Sequence, residues 1–230
     1  MNRNDLNAHM VQTSFGLRWA LSFIAIGLPV VLLVVGKILH GVWIEKSISS
    51  YYYSKSILGV FNLRDIFVGG LVAAAVCLFA YRGYRTAETV VLKLAGVFAL
   101  LVAMLPSTVP GATGTVISQW HTRVAIAFFA CLVYTAWKYC DDTLDLWDAD
   151  NRRYYNNLYF WTGWGIVGAA VLSVLVSAFI MQATALDTKT FMLEAFAMWA
   201  FGLYWTLKTS ELKRLVAKVS ADAIAESRVP

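Results

Sequence analysis

The run ALSFIAIGLPVVLLVVGKIL, residues 20–39, contains a single charged side chain, Lys37, and decides the fold class of the chain. A helix needs about 20 mainly apolar residues to cross the roughly 30 Å hydrocarbon core of a bilayer, because lipid offers no partner for exposed backbone groups. The run is also too long for the apolar part of a typical cleaved signal peptide, and no small-residue cleavage site follows it. We therefore interpret it as a retained first transmembrane span.

Five further runs have a similar composition, so we predict an all-α polytopic membrane protein, a single domain formed by a bundle of six transmembrane helices. The approximate spans are 18–39, 66–84, 90–105, 118–139, 157–181 and 190–207. The 230-residue chain is 59% hydrophobic and only 14% charged, whereas a soluble domain carries about 25% charged residues. Residues 209–226 have the pattern of an amphipathic helix at the membrane surface, or of a solvated extension of the last span.

The basic residues predict the orientation of the bundle. They lie in short segments between apolar runs, which argues against nucleic acid as the partner of this chain of net charge +5. Thirteen of the 19 lysines and arginines fall on the side of the N-terminus if there are six spans. Because lysine and arginine are retained on the cytoplasmic side, we predict that both termini are cytoplasmic. The expected partners of such a bundle are membrane lipids.

Small residues spaced four apart would let helices approach closely, either within the chain or between the copies of a homo-oligomer. The pairs are Gly69 with Ala73, Gly70 with Ala74, and Gly165 with Ala169.

Two ionisable residues fall inside the predicted spans. If Lys138 and Lys208 mark the inner interface, Arg123 and Glu194 lie at a similar depth, beneath the outer headgroups. An unpaired charge at the centre of a membrane helix costs about 2.5 to 3.5 kcal/mol on insertion scales. We therefore expect Glu194 and Arg123 to face the bundle interior and to pair, although each could instead extend outward independently.

Further polar residues gather at the same outer ends of the spans. His40 and Glu45 follow the first span, Arg64 and Asp65 open the second, and His121 opens the fourth. Neutral imidazole and carboxylate are ligands that zinc and other divalent metals accept. The metal-site hypothesis names His40, Asp65 and His121, with ordinary interfacial hydrogen bonding as the alternative.

The outer loop SISSYYYSKS, residues 47–56, is rich in hydroxyl groups and aromatic rings. Such side chains suit the headgroup level of a membrane, where the alternative is an aromatic belt without a ligand. The loop PSTVPGATGT, residues 106–115, contains two prolines and two glycines, and it is therefore expected to be irregular and able to cover a pocket. We predict an outer ligand site formed by the following residues: Ser47, Ser49, Tyr52, Arg64, Asp65, His121, Arg123 and Glu194.

Four stretches carry a resemblance to known proteins: SISSYYYS at 47–54, LRDIFVGG at 63–70, FALLVAMLPST at 98–108, and QWHTRVAIAFF at 119–129. They resemble a broad group of poorly characterised six-helix bacterial membrane proteins and, more distantly, the FRAG/DRAM/Sfk membrane proteins. The resemblance implies a six-helix fold in a bacterial inner membrane and a link to lipid organisation rather than to a defined reaction. It also singles out Ser47, Ser49, Arg64, Asp65 and His121.

Three function classes follow from these features. The first is a membrane protein whose outward-facing polar pocket binds a lipid headgroup or a small ligand, which requires no catalytic residue. The second is a metal-dependent membrane hydrolase, with His40, His121, Asp65 and Glu45 as candidate ligands and a serine nearby. A weaker likeness to hydrolases of the alkaline ceramidase type points the same way, although this chain has only three histidines. The third is a channel or transporter, in which buried Arg123 and Glu194 would line an ion path.

Overall fold

The computed structural model of the chain describes residues 3–41, 44–54, 62–108, 113–184 and 187–226, with the side chains of 3–10, 40, 166, 167, 169, 170, 183, 184 and 222–226 left aside. The described part is all-α and contains no β-strand. Its long helices are α1 (Arg3–His40), α2 (Leu63–Ala80), α3 (Thr86–Met104), α4 (Val116–Lys138), α5 (Ala149–Thr184) and α6 (Lys189–Glu226). Two short 3-10 helices, Ile48–Tyr53 and Leu144–Leu146, lie between them.

Local sequence explains where several helices begin and end. The hydroxyl of Thr115 accepts a hydrogen bond from the Ser118 backbone N–H at 3.2 Å and caps the start of α4. α3 ends before Pro106, because a residue that precedes proline is pushed out of the helical region, and Leu105 is accordingly extended. α1 is followed by Gly41 at φ 67°, a left-handed conformation that glycine adopts without a steric penalty.

Four of the helices are long and apolar enough to cross a membrane: Val11–Leu39 within α1, and α2, α3 and α4. The third predicted span, the shortest and the one that contains Lys93, is among them. α5 and α6 form at the predicted fifth and sixth spans, but they do not meet the same combined test of length and apolarity in the described residues. Large apolar side chains point outward from the bundle, such as Phe23 at 70% and Phe179 at 73% exposed.

The helices pack side by side in the order α4, α3, α2, α1, α6 and α5, and α4 and α6 touch only lightly. Some small residues permit the close approaches. A side-chain carbon on Gly70 would lie 2.9 Å from Leu28, and one on Gly202 would lie 2.6 Å from Ile26. Gly70 thus packs against α1 as its spacing predicted, whereas Gly69 and Gly165 meet nothing within 4 Å in the described chain.

The bundle has two polar ends, which we name by their sequence. The serine end comprises the 3-10 helix Ile48–Tyr53, residues 105–108 and the starts of α4 and α6. The basic end comprises residues 81–85, residues 139–148 and the adjoining parts of α1, α5 and α6. α6 continues unbroken through residues 209–226 and buries Leu212 and Leu215, and the relation of this segment to a membrane surface stays a prediction.

Candidate functional site at the serine end

The 3-10 helix of the serine end is organised by its own serines. The Ser47 hydroxyl accepts a hydrogen bond from the Ser50 backbone N–H at 3.1 Å, which caps the helix. It also lies 3.0 Å from the Ser49 hydroxyl and 2.7 Å from the Ser50 hydroxyl. Tyr51 is buried against Phe191, and this burial raises its pKa to about 12. The serine-rich motif therefore builds a rigid turn, and only part of it is available to a ligand.

Glu194 joins this turn to α6. Its carboxylate atom Oε2 accepts a hydrogen bond from the Ile48 backbone N–H at 2.8 Å. One turn earlier on α6, the Phe191 backbone N–H donates to the Lys46 carbonyl at 2.9 Å. A carboxylate can accept several hydrogen bonds, so Glu194 retains acceptor capacity beyond the bond to Ile48.

His121 is positioned by α3 and α4 together. It lies in the first turns of α4, is only 5% exposed, and places Nδ1 2.7 Å from the carbonyl oxygen of Leu105. Because a carbonyl only accepts, Nδ1 carries the proton and donates it to this bond. In the neutral imidazole, Nε2 is then left as a hydrogen-bond acceptor or metal ligand.

Ser49, His121 and Glu194 line one cavity of about 30 Å³, where α4 faces α6 across their light contact. The rest of its wall is apolar and includes Leu28, Phe67 and other side chains of the serine-end core. A water molecule needs roughly 10–15 Å³ when cavity volume is measured in this way. The cavity therefore has room for one or two water-sized groups among acceptor atoms.

The loop after α3 is hydrogen-bonded to the 3-10 helix Ile48–Tyr53. The Ser107 hydroxyl donates to the Ser49 carbonyl at 3.2 Å, and the Tyr53 hydroxyl donates to the Ser107 carbonyl at 2.7 Å. Ser107 was not among the predicted site residues, although it belongs to the loop that was expected to cover a pocket. The middle of that loop, residues 109–112, lies outside the described residues.

The predicted pairing of Glu194 with Arg123 is wrong. Arg123 is exposed, and its guanidinium carbon lies 5.1 Å from the centroid of the Trp120 ring. Two residues along an α-helix correspond to a rotation of about 200°, so Arg123 cannot share the face of α4 that buries His121. Glu194 bonds to the backbone of Ile48 instead, which supplies a donor without a second charge.

Asp65, Arg64 and Tyr52 also lie away from the cavity. Asp65 is exposed in the first turn of α2, because Leu63 and Phe67 bury the opposite face of that turn. The guanidinium carbon of Arg64 lies 4.4 Å from the centroid of the half-buried Tyr52 ring. These side chains form the rim of the serine end, where Arg64 and Asp65 are exposed, and Asp65 can complement the dipole of α2.

The described residues contain no group of three histidine, cysteine or acidic side chains that could hold a metal ion. They therefore do not support the metal-site hypothesis by geometry. The side chain of His40 lies outside the described part of the structure. Asp65 is exposed and His121 is buried, while Glu45 accepts a hydrogen bond from the Ser54 hydroxyl at 3.1 Å. A metal bound through His40 and His121 therefore stays a prediction.

No protein-family model matches the chain, no curated protein is significantly similar to it, and no solved structure matches its fold.

The basic end holds a buried ionic cluster that sequence reasoning missed. The carboxylate of Glu211, 0% exposed, accepts hydrogen bonds from Thr143 at 2.6 Å, from Trp147 at 3.2 Å and from the Tyr159 hydroxyl. The Lys208 ammonium lies 3.0 Å from Glu211 and donates to the Cys140 carbonyl at 2.6 Å and to Thr143 at 2.7 Å. The only signal in the sequence was the spacing of Lys208 and Glu211, three apart on one helix face.

Proposed function

We propose that the protein is an integral membrane protein of six spans that binds a lipid headgroup or a small ligand in the serine-end cavity. In this proposal it lies in a bacterial inner membrane with both termini cytoplasmic, so the serine end faces away from the cytoplasm. The observation that carries the proposal is that Ser49, His121 and Glu194 come from three separate elements and line the same cavity. Two of these residues are ionisable groups that an apolar bundle accommodates only at a cost.

α5 and α6 supply the two further spans. α5 has 36 residues and so extends about 54 Å, well beyond the thickness of the hydrocarbon core. It packs mainly on α6 and exposes large apolar side chains, including Trp161, Leu175 and Phe179. Exposed apolar side chains of this size are unfavourable in water and suit contact with lipid.

The chemistry of the cavity defines the class of ligand. Glu194 has unused acceptor capacity and His121 presents Nε2, so the ionisable groups of the cavity offer acceptors to a ligand. A buried carboxylate favours a cationic donor, because the positive charge of the ligand offsets the cost of burying the negative charge of the carboxylate. The proposed ligand therefore inserts a primary ammonium group, which is about as large as a water molecule, where α4 and α6 touch only lightly.

A binding experiment with two matched lipids tests this function. Delipidated protein in neutral detergent is titrated with short-chain phosphatidylethanolamine, which has a primary ammonium, and with short-chain phosphatidylcholine, whose quaternary ammonium has no N–H donor and is bulkier. We expect the first lipid to bind about tenfold more tightly, which corresponds to roughly 1.4 kcal/mol.

The control variants are chosen from the same end of the bundle. Glu194→Gln retains an acceptor for the Ile48 N–H but removes the charge, and it is expected to abolish the preference. Asp65→Asn removes an exposed carboxylate of the rim and should leave the preference intact. Equal binding of both lipids by the wild-type protein, or an unchanged preference in Glu194→Gln, would contradict the proposal.

A metal-dependent hydrolase is the second candidate, favoured by one observation. A histidine that donates Nδ1–H to a backbone carbonyl and leaves Nε2 free has the arrangement typical of a metal-ligating histidine, and His121 has it with Leu105. Elemental analysis of the purified protein tests this candidate. A stoichiometric zinc that disappears in His121→Ala would favour the hydrolase, and a metal-free wild-type protein after zinc supplementation would exclude a tightly bound catalytic zinc.

The channel alternative loses its main support, because Arg123 is exposed and does not pair with Glu194.

A further inference from the structure

The basic end contains a second cavity, of about 140 Å³, between α1, α6 and the 81–85 loop. Its polar wall includes Arg18, Arg82 and Ser14, and its apolar wall includes Phe15 and Leu212. The serine-end function does not involve this cavity, and neither does the Lys208–Glu211 cluster, whose residues do not line it.

Arg18 is the unusual feature of this cavity. Its residue is only 3% exposed, and its atoms Nε and Nη1 are buried without any hydrogen-bond partner. The remaining nitrogen, Nη2, donates to the Tyr81 hydroxyl. The guanidinium carbon lies 4.9 Å from the centroid of the Tyr81 ring and 5.2 Å from that of Trp205. Aromatic faces attract a cation but leave its in-plane donors unsatisfied.

The nearby carboxylate does not complete the site. Glu88 is buried, and its atom Oε2 accepts a hydrogen bond from the Tyr84 backbone N–H at 2.7 Å. Within the part of the chain that the structure describes, Arg18 has no carboxylate oxygen within 4.0 Å. A buried charge that keeps two unsatisfied donors is costly, and such donors are normally matched by an anion or by water.

We propose that the Arg18–Arg82 cavity binds the phosphoryl group of an anionic ligand, contributed either by a lipid headgroup or by free phosphate. Arg18 supplies a fixed guanidinium whose Nε and Nη1 have no partner, and hydrogen bonds from such a charged donor to phosphate oxygens are among the strong ones. Arg82 is exposed at the same cavity and adds a second positive charge. The site lies near the N-terminal end of the apolar stretch of α1, at the depth where lipid phosphates meet a membrane span.

The test compares a lipid that carries a phosphate-containing headgroup with a lipid that lacks one. Delipidated wild-type protein in neutral detergent is titrated with dihexanoylphosphatidylglycerol and with dihexanoylglycerol, and bound lipid is counted by native mass spectrometry. Labelled inorganic phosphate is followed by equilibrium dialysis. We expect the phosphate-bearing lipid to bind at least about tenfold more tightly than the lipid without phosphate. Displacement of this lipid by excess inorganic phosphate would point to free phosphate as a ligand, and binding that resists displacement would point to the lipid headgroup.

Three variants separate this site from general attraction of anions to a basic surface. Arg18→Gln should weaken binding about tenfold or more, and Arg82→Gln, which alters an exposed side chain and leaves the fold intact, should weaken it about threefold. Arg214→Gln removes an exposed arginine of α6 that does not line the cavity and should have no effect. The proposal fails if the two lipids bind equally and phosphate does not bind, or if Arg82→Gln and Arg214→Gln bind the phosphate-bearing probe as well as the wild type.

Discussion

The two ends of the bundle bury ionisable side chains in opposite ways. At the serine end, Glu194 and His121 each take one backbone partner, from Ile48 and from Leu105, and keep acceptors free toward a small cavity. At the basic end, Lys208 and Glu211 neutralise each other within a cluster of hydroxyls and a carbonyl. Buried polar groups that satisfy one another rigidify a structure, whereas groups with spare capacity can bind a ligand.

The two ends also differ in the charge of the ligand that their free groups suit. The free groups of the serine-end cavity are acceptors, which suit a cationic donor, and Arg18 at the basic end offers donors, which suit an anion. The Lys208–Glu211 cluster is saturated and the serine-end cavity is not, so substitutions in the two are expected to have different consequences. The following predictions test that difference, beginning with the largest effect.

Glu211→Gln should cause the largest loss of stability. Breaking one side of a buried ion pair costs about 3–5 kcal/mol, because the partner charge, here Lys208, remains buried without compensation. The measurement is reversible unfolding in mixed detergent micelles. The double variant Lys208→Met with Glu211→Gln is the control. It should lose less stability than Glu211→Gln alone, because it leaves no orphaned charge and keeps an acceptor for the donors that surround Glu211. A loss below about 1 kcal/mol in Glu211→Gln would show that the cluster is not closed as described.

Glu194→Leu should destabilise the protein less, by about 1–3 kcal/mol, because it leaves the Ile48 N–H without its acceptor. Glu194→Gln keeps an acceptor at that place and should cost under about 1 kcal/mol. The same unfolding experiment measures both. If Glu194→Gln proved as damaging as Glu211→Gln, the carboxylate charge would have to be paired inside the bundle, and the proposed difference between the ends would be lost.

The smallest effect is expected at an exposed ion pair of the basic end. The Lys218 ammonium lies 2.6 Å from Asp148, and its hydrogen bond, with one from Asn151, lowers the pKa of Asp148. A carboxyl whose pKa is depressed by folding stabilises the folded state above its unfolded pKa, about 3.9, and loses this contribution as the pH falls below that value. Asp148→Asn should therefore lower the melting temperature slightly at pH 7, and the difference from wild type should shrink toward pH 3. A difference that grew on acidification would contradict this assignment.

The sequence predicted the helices and some of the serine-end site for physical reasons that are local. Apolar runs locate all six long helices, and the rarity of ionisable groups in such runs pointed to His121 and Glu194. Helix periodicity would also have excluded Arg123 from the cavity, since His121 lies only two positions away. That argument uses nothing beyond the sequence, and it is incompatible with the predicted ion pair of Arg123 and Glu194.

Other features could not be predicted because they depend on contacts distant in sequence. Lys208 resembles an ordinary marker of the inner interface, and its burial follows from the 139–147 segment folding over α6. Ser107 bonds to Ser49, 58 residues away, and nothing in its own surroundings indicates this partner. Arg18 likewise looked like an interfacial cation, because its unpaired nitrogens become apparent only when Tyr81 and Trp205 close around it.

The six-span account requires that α5 and α6 cross the membrane as well as α1–α4. Cysteine labelling on either side of α5 measures this most directly. Asp187→Cys and Arg153→Cys, both at exposed positions, are introduced separately after Cys77, Cys131 and Cys140 are replaced by alanine. Intact cells are then treated with a maleimide that cannot cross the inner membrane. Six spans predict labelling of the cysteine at 187 from outside, and protection of the cysteine at 153 until the membrane is opened. Protection of both positions in intact cells would show that the chain crosses only four times, and it would contradict the account.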